Sequence, residues 1–340
     1  MRLLIPTRNR STSLAGVLGF YARFYPQARL IIADGSTEDY KAQNAALCTK
    51  TELDIDYRPF DSEMSLFDRL LTVLSDIDDD YIVMAADDDY AILETLEMGR
   101  KRLETDPDVV CVAGYLVHIM VKTAATAGVR LDPARTIAQP TFAGRMRGFS
   151  QLPFTTTYAV ARREHLIRRY EFLKDWHVPG FFDLAVGLMD LSYGKIVGLP
   201  KLGFYCTRNY VHSYFRMADE ETFLNHADEG PRLIELMTER LVLIDGMDRE
   251  TAHMTVKRSV NRRISALAGS PPHKQAGFKD VPPYQSKNVQ QAKFHFDEMF
   301  EPGTDTRGQY LDRMTFIARN LSTTLTSSDN KGEEATYVKL

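Results

Sequence analysis

The stretch that decides the fold of this 340-residue chain is Tyr81–Asp89, which reads YIVMAADDD. A short apolar run that ends in acidic residues is typical of a buried strand that carries carboxylates to the edge of a sheet. Carboxylates this close repel one another unless a divalent cation lies between them, and Mg²⁺ and Mn²⁺ prefer such hard oxygen ligands. The alternative is a solvated acidic turn, which the acidic residues Asp78–Asp80 just before the run also favour.

The composition is that of an ordinary globular protein long enough for about two structural units. Hydrophobic residues make up 44% of the chain, charged residues make up 26%, and the formal net charge is −4. Because nucleic-acid-binding proteins usually carry a positive net charge or a basic patch, this negative net charge gives no reason to expect a nucleic-acid partner. The three cysteines, Cys48, Cys111 and Cys206, form no CxxC pair. We therefore expect neither a disulfide framework nor a zinc site, and we expect a reducing, cytoplasmic location.

The hydropathy pattern predicts no membrane span. The opening Met1–Pro6 is too short for the apolar region of a signal peptide. No stretch approaches the roughly 20 apolar residues that cross a bilayer. We expect no transmembrane segment, while a peripheral contact with a membrane is compatible with this pattern.

The first part of the chain alternates between strand-length apolar runs and helical patterns. The expected strands are Arg2–Ile5, Leu30–Ala33, a run near Ile55–Arg58, and Tyr81–Ala86. Three helices are expected: one that begins at Ser11 or Thr12, one over Tyr40–Cys48 and one over Met64–Ser75. This alternation predicts an α/β fold with a Rossmann-like, mostly parallel central sheet flanked by helices.

Polar clusters follow the predicted strands at the points where the strands end. They are Pro6-Thr7-Arg8, Asp34-Gly35-Ser36, Asp61, and the triplet Asp87–Asp89. In open parallel sheets ligands bind outside the carboxyl ends of the strands. Folding is therefore expected to bring these clusters to one rim, which favours the binding-site interpretation of the triplet.

The second part of the chain is expected to be less regular. Leu93–Leu103 is predicted to be a helix and Val109–Val117 a strand, whereas Thr123–Ser150 shows no clear periodicity and is predicted to be a long loop. A helix is expected from Phe181 to about Tyr193, with Gly194 just past its end, and strand-like segments follow at Ile196–Leu199 and Leu202–Thr207.

A helical pattern runs from Glu220 to Ala268 and is interrupted near Gly230-Pro231 and at Gly246. We predict three units: an α/β domain over residues 1–215, a helical C-terminal extension over 216–320, and a loose polar tail over 321–340. The C-terminal helices could also serve as the contact surface of a homo-oligomer.

Four motifs in order resemble the nucleotide-sugar glycosyltransferases of the GT-A fold, particularly family 2 and its relatives. They are IPTRNR at Ile5–Arg10, IIADGS at Ile31–Ser36, ADDD at Ala86–Asp89 in the position of the family's DxD motif, and Phe182-Asp183 before a helix. The match covers residues 1 to about 215, and it implies that residues 1–215 form a nucleotide-sugar and acceptor-binding catalytic domain. It departs from the family in having a middle aspartate in the triplet, where a small residue is commoner. It also lacks the QxxRW signature of processive synthases, which argues against a membrane-embedded polysaccharide synthase.

The resemblance implies a nucleotide site and a metal site at the strand-end rim. The nucleotide site would include Pro6, Thr7, Arg8, Asp34, Asp61, Arg69, Asp87 and Asp88. Asp89 would hold Mn²⁺ or Mg²⁺ on the diphosphate, and Asp87 would bond the ribose or the metal. His212 fits a third metal ligand; the alternative is an ordinary surface histidine, with Arg208 nearby holding phosphate. A bound cation would stabilise the departing nucleoside diphosphate.

The acceptor hydroxyl must lose a proton, and inversion by direct displacement needs a carboxylate base near it. Asp183 matches the family's base position; the alternative is that it only caps a helix. Asp175 is the reserve base. Asp190 lies seven residues beyond Asp183 on the same helical face, and we expect it to contact the acceptor or the sugar. The single tryptophan, Trp176, is a second candidate for this contact, by stacking on a sugar.

The expected function is a metal-dependent, hexosyltransferase-like glycosyltransferase. It would move a sugar from a nucleotide-sugar donor to a hydroxyl of a glycan, polysaccharide or lipid-linked acceptor, with inversion as the default and retention open. One alternative is a sugar-phosphate nucleotidyltransferase, although the loop at Pro6–Arg10 lacks the glycines expected there. The other is a non-catalytic nucleotide-sugar-binding module.

Overall fold

The computed structural model of the protein describes residues 1–123, 126–151, 155–176, 179–209 and 228–268, with the short segments 308–309, 312–317 and 319–321. Within these ranges, the side chains of 120–123, 126–130, 151, 179–183, 208–209 and 262–268 are not described.

The strands are β1 (Arg2–Thr7), β2 (Arg29–Asp34), β3 (Asp54–Pro59), β4 (Tyr81–Met84), β5 (Asp89–Ala91), β6 (Val109–Thr123), β7 (Thr126–Asp132), β8 (Val160–Arg162) and β9 (Lys195–Asn209). The helices are α1 (Ser11–Phe24), α2 (Glu38–Thr49), α3 (Leu66–Asp76), α4 (Leu93–Thr105), α5 (Phe142–Gln151), α6 (Arg163–Leu173), α7 (Pro179–Tyr193), α8 (Glu229–Asp245) and α9 (Arg249–Ala268).

The described strands join into one sheet in the order β3-β2-β1-β4-β8-β6-β9-β5, with β7 paired to β6. The pairs β1–β2, β2–β3, β1–β4 and β6–β9 are parallel, while β8, β5 and β7 run antiparallel to their neighbours. The prediction of a mostly parallel sheet flanked by helices is confirmed.

Both faces of the sheet are covered, which explains why the central strands β1, β2 and β4 are apolar in their interiors. Successive residues of β1 point to opposite sides, so Leu4 packs in one core cluster while Leu3 and Ile5 pack in the other. The cluster around Leu4 takes side chains from α3 and from α5 to α9. The cluster around Leu3 and Ile5 takes side chains from α1, α2 and α4.

Pro6 lies inside β1 without breaking the sheet. The last register pair between β1 and β4 is Leu4–Met84, and the Ala85 amide then donates to the Leu4 carbonyl. The edge of β1 that faces β4 is therefore unpaired at Pro6, where a missing N–H interrupts no ladder. From this point the chain after β4 turns away, which opens the rim at the ends of the strands.

The segment Thr123–Ser150, predicted as a long loop, contains β7 and α5, so that prediction is wrong. The strand β7 forms an antiparallel hairpin with the end of β6, which extends to Thr123. In α5 the buried residues Phe142, Met146 and Phe149 recur at helical spacing. The intervening glycines and arginines hid this periodicity in the sequence.

Three other boundaries differ from the predicted ones. The strand that carries the triplet ends at Met84, and Asp89 begins the separate short strand β5. The two segments predicted after Gly194 are one strand, β9. Gly230-Pro231 lies in the first turn of α8, where proline is tolerated, while Gly246 ends that helix with a φ of 66°.

The described helices beyond residue 228 share the cores of the sheet. Leu233, Met237 and Val256 of α8 and α9 are fully buried in the cluster around Leu4. Segment 312–317 packs on the opposite face, where Ile317 is fully buried. The proposed boundary near residue 215 falls outside the described residues and stays a prediction. No helix among the described residues is long and apolar enough to cross a membrane.

Candidate active site

The polar clusters after β1, β2 and β4 meet at one rim of the sheet. Thr7 and Asp34 are register partners at the ends of β1 and β2. The Thr7 hydroxyl donates to Asp87 Oδ2 at 2.7 Å, across 80 residues of sequence. Because these strands run parallel, their carboxyl ends lie side by side, which is the convergence that the sequence predicts.

Asp87 is the buried member of the triplet at the centre of the rim, with 3% of its surface exposed. One oxygen accepts from Thr7, and the other accepts from the Arg10 guanidinium at 2.6 Å. Burial raises the pKa of Asp87 to about 7, although the Arg10 charge and the Thr7 hydrogen bond act in the opposite direction.

Asp89 is held from behind by the protein. Its Oδ2 accepts from the Tyr158 hydroxyl at 2.5 Å, and its Oδ1 accepts from the Thr207 backbone N–H at 2.7 Å. The side chain is 4% exposed. Burial and the Asp89 charge raise the pKa of Tyr158 well above its usual value, so the phenol stays a donor. Each oxygen of Asp89 thus has one protein donor, as each oxygen of Asp87 does, and an ionised carboxylate can accept further partners. The metal-ligand role predicted for Asp89 stays a prediction.

Asp88 presents its carboxylate to the open side of the rim. Its side chain is 26% exposed, and one oxygen accepts from Arg10 at 2.5 Å. The Thr207 hydroxyl donates to the Asp88 carbonyl at 2.7 Å and holds the turn in place. The contacts behind the turn therefore leave Asp88 as the outward-facing carboxylate of the three.

Asp34, predicted to be part of the nucleotide site, is fully buried. Its Oδ1 accepts from the Ser36 amide, and its Oδ2 accepts from Asn44 Nδ2 and the Tyr57 hydroxyl, each at 2.8 Å. These bonds shape the turn that follows β2. The geometry supports a role for Asp34 in positioning this turn more than direct contact with a ligand.

Arg69 lies directly behind the loops after β1 and β2. Its Nη1 donates to the Thr7 carbonyl at 3.0 Å and to the Ala33 carbonyl at 3.3 Å. Burial lowers the pKa of Arg69, and the nearby positive charge of Arg8 lowers it further. A Cβ at Gly35 would clash with the Arg69 guanidinium, so glycine at this position leaves room for the guanidinium where it lies.

The other nucleotide-site candidates lie around the same rim with different exposure. Arg8 is 54% exposed, and its nearest acidic partner is Glu63 at 4.0 Å. Asp61 is exposed and accepts from the Glu63 amide at 2.9 Å, so it stabilises the turn after β3. Of the two predicted cations whose side chains are described, Arg8 is thus more open to solvent than Arg69.

Asp190 lies far from solvent, so the predicted contact with an acceptor sugar is not supported. It is fully buried and bonds both Nε and Nη2 of Arg169 at 2.9 Å. His165 Nε2 lies 2.7 Å away, and the Thr156 hydroxyl donates at 2.5 Å. Burial alone would raise the pKa of Asp190, but Arg169 and His165 outweigh it and lower the pKa. Asp190 joins α7 to α6.

Each of the remaining predicted residues is buried, exposed or outside the described part of the chain. Trp176 is 5% exposed, donates from its indole to the Phe172 carbonyl and packs in the core, which does not favour stacking on a sugar. Asp183 is the fifth residue of α7 and therefore not its N-cap, while its side chain lies outside the described residues. His212 and the side chain of Arg208 also lie outside the described residues.

Asp175, the reserve base, is exposed and lies 3.7 Å from Arg232.

The donor chemistry of the rim fits a hard divalent cation. Asp87 and Asp88 direct carboxylate oxygens at one cationic partner, as Mg²⁺ and Mn²⁺ require. That partner is the Arg10 guanidinium, so a metal ion could share these oxygens only if Arg10 moved. Among the described side chains, no group of three His, Cys, Asp or Glu residues is arranged to hold a metal ion.

Sequence reasoning did not identify several residues that organise the rim. Arg10 lies in the motif IPTRNR, which by itself does not indicate that its guanidinium contacts Asp87 and Asp88. Asn9 adopts a φ of 56°, which asparagine tolerates, and its Oδ1 accepts from the Thr37 amide at 2.9 Å. Tyr158 and Thr207 are 69 and 118 residues from Asp89 along the chain. No local pattern links positions so distant, so only the fold could identify them.

Comparison with known proteins supports the fold. A scan against models of known protein families gives no match, and no curated protein matches the sequence. The S. aureus protein TarS (residues 1–349) in complex with UDP-GlcNAc is similar, with a TM-score of 0.53, 14% identity, and coverage of 98% of this chain and 93% of that chain. The mannosyltransferase PcManGT from Pyrobaculum calidifontis, in complex with GDP-Man and Mn²⁺, has a TM-score of 0.45, 14% identity, and coverage of 97% and 87%. The similarity to TarS shows that this chain has the GT-A fold.

Proposed function

We propose that the protein is a divalent-metal-dependent glycosyltransferase that moves a sugar from a nucleotide-sugar donor to a hydroxyl acceptor. The observation that carries this proposal is the pair Asp87 and Asp88, which meets Arg10 at the carboxyl ends of the parallel strands. Ligands of open parallel sheets bind at this edge. UDP-GlcNAc in the TarS complex agrees with a nucleotide-sugar donor.

The charges around the rim suit a nucleoside diphosphate. Arg8 is exposed, Arg10 is at the surface of the triplet, and Arg69 lies behind the turn. Guanidinium groups bind phosphate oxygens by charge-assisted hydrogen bonds. We propose Arg8 and Arg10 as phosphate contacts and Asp88, supported by Asp87, as the carboxylate that holds the cation. A bound cation would supply Lewis-acid stabilisation of the leaving diphosphate.

We propose Asp183 as the base that accepts the proton of the acceptor hydroxyl, with inversion at the sugar carbon. Its place in the second turn of α7 supports this role, because it lies beyond the position where a side chain caps the helix. The ion pair of Asp190 with Arg169, two turns further on, anchors the same helix. A rigid helix is a suitable support for a catalytic carboxylate.

Hydrolysis of donors tests the proposal. Purified protein is incubated with UDP-, GDP-, dTDP- and CMP-sugars in Mn²⁺, Mg²⁺ or EDTA, and release of nucleotide is followed. We expect slow release from one donor class that requires metal and falls about 100-fold or more in Asp183→Asn. Glu164→Gln, on the exposed surface of α6, is the control that keeps this activity. Donor binding by calorimetry without any release would favour a binding module, and no binding of any donor would overturn the proposal.

A further inference from the structure

Arg10 joins the two carboxylates that the proposed function assigns to the metal. Its Nη1 donates to Asp87 Oδ1 at 2.6 Å, and its Nη2 donates to Asp88 Oδ2 at 2.5 Å. Each nitrogen of the fork therefore serves a different aspartate. The guanidinium therefore neutralises both carboxylates. It lies where a metal ion bound to both of them would also have to lie.

The two cations cannot occupy this position together at low cost. A divalent ion bound to both aspartates would lie within a few ångströms of the guanidinium, and like charges at that separation repel strongly in a partly buried site. A guanidinium does not lose its proton in proteins, so Arg10 stays charged in the presence of the metal ion. It has to move away.

The surroundings of Arg10 permit this movement. Its side chain is 39% exposed, whereas that of Asp87 is 4% exposed. Arg10 is the residue just before α1, and its guanidinium is held by the two aspartates. Arg8, on the same loop, is more exposed still. A diphosphate at this rim would therefore offer Arg10 a new anionic partner close to the one it leaves.

We propose that Arg10 is an exchangeable counter-cation: it neutralises Asp87 and Asp88 while the site holds no donor, and it transfers to the diphosphate when metal and nucleotide bind. This inference rests on the proposed function, since it concerns the same site. It makes the binding of metal and nucleotide interdependent. Metal alone must displace Arg10 without giving it a partner, whereas nucleotide supplies that partner. Linkage then requires each ligand to strengthen the binding of the other.

Titration of free Mn²⁺ by electron paramagnetic resonance tests this inference without an activity assay. Wild type, Arg10→Gln and Arg10→Lys are titrated with Mn²⁺ alone and with Mn²⁺ plus UDP or GDP. Arg8→Gln is the matched control in the titration with Mn²⁺ alone, because it removes the same charge from the same loop but does not touch the triplet. Thermal unfolding of each variant confirms that it is folded.

We expect Arg10→Gln to bind Mn²⁺ alone about tenfold more tightly than wild type, and Arg8→Gln to change this affinity by much less. We expect Arg10→Lys, which keeps the charge but loses the fork, to lie between wild type and Arg10→Gln. Added nucleoside diphosphate should tighten Mn²⁺ binding more in wild type than in Arg10→Gln.

Two negative outcomes are distinguishable. If wild type binds a nucleoside diphosphate with Mn²⁺ but Arg10→Gln binds Mn²⁺ no more tightly than wild type, the role of Arg10 is overturned and the proposed function stands. Equal gains in Arg8→Gln and Arg10→Gln would also overturn it, because general charge would then explain the effect. If wild type binds no nucleoside diphosphate under any condition, the proposed function is overturned, together with the exchange that depends on it.

Discussion

Three adjacent aspartates have three different environments, and the difference lies in what each carboxylate contacts. Asp87 is bonded by Thr7 and Arg10, Asp88 faces the rim, and Asp89 is bonded by the protein behind it. In the sequence the three are chemically identical neighbours. Their separation into roles depends on the turn geometry, which alternates the directions of the side chains.

A pair of single substitutions tests this division of roles. Asp88→Asn should keep the stability of the protein within about 0.5 kcal/mol, because the side chain is partly exposed. It should lower metal-dependent donor hydrolysis about 100-fold or more, because it weakens the carboxylate that faces the cation. Asp89→Asn should instead lower the free energy of unfolding by about 1–3 kcal/mol, because its bonds to Tyr158 and Thr207 are buried.

Urea unfolding and donor hydrolysis of both variants give the comparison. The assignment would be reversed if Asp89→Asn folded as stably as wild type and lost activity while Asp88→Asn kept it.

At the scale of elements, the two helices α6 and α7 are joined by one buried ion pair. Asp190 of α7 meets Arg169 and His165 of α6, and the Thr156 hydroxyl completes the set. Burying such a pair costs desolvation free energy, and removing one partner strongly destabilises the folded protein because the other charge is left buried alone. It fixes the position of α7, on which the proposed base Asp183 lies.

Asp190→Ala should lower the free energy of unfolding by about 3–5 kcal/mol, because it leaves the Arg169 charge buried without its partner. The matched control is Glu164→Gln, which breaks an exposed pair with Arg168 and should cost less than about 0.5 kcal/mol. Chemical denaturation of the three proteins measures both values. A cost for Asp190→Ala as small as that of the control would contradict a structural role for the pair.

The same junction should make stability depend on pH. Burial lowers the pKa of His165 against the opposing effect of Asp190, so the native state keeps this ring neutral at pH values where the unfolded chain, with a pKa of about 6.5, takes up a proton. The stabilisation is present above that value and is lost as the pH falls toward the lowered native pKa. His165→Gln should remove it, reducing the slope of stability against pH below 6.5 by up to about 1.4 kcal/mol per pH unit.

Urea unfolding at pH 7.5, 6.5 and 5.5 measures the slope for wild type and His165→Gln. Equal slopes in the two proteins would show that His165 titrates alike in the native and unfolded states.

At the scale of the whole molecule, a segment near the end of the sequence completes the core of the first helix. Residues 312–317 lie against α1, where the Phe316 ring contacts Phe20 and Phe24 and Ile317 is fully buried. Arg313 pairs with Glu94 of α4 at 2.9 Å. Contacts between residues about 300 positions apart thus close the face of the sheet that α1 covers.

Ile317→Ala should therefore lower the free energy of unfolding by about 2–4 kcal/mol, since it leaves a cavity in a closed core. Leu243→Ala on α8 is the control, because Leu243 is 82% exposed and should change stability by less than about 0.5 kcal/mol. Thermal and urea unfolding provide the measurement. A negligible effect of Ile317→Ala would show that the segment contributes nothing to the core.

The sequence by itself determined the elements whose signals are local. The apolar runs of β1, β2 and β4 and the polar residues at their ends are consecutive in the chain, so their periodicity and order predicted a parallel sheet with a site at its rim. The resemblance to GT-A glycosyltransferases rested on the same short motifs. Local patterns failed where glycines and arginines obscured the spacing, as in α5.

Only the tertiary structure decided which side chains of the rim face a ligand. Partners distant in sequence set these environments. Asp34 is buried among Asn44 and other partners, and Asp89 accepts from Tyr158 and Thr207. Arg10 donates to both Asp87 and Asp88. The physical reason is that hydrogen bonds and burial are set by three-dimensional proximity, whereas sequence patterns record only neighbours along the chain. The sequence of the triplet predicted a binding site, and the tertiary structure gave its three carboxylates different contacts.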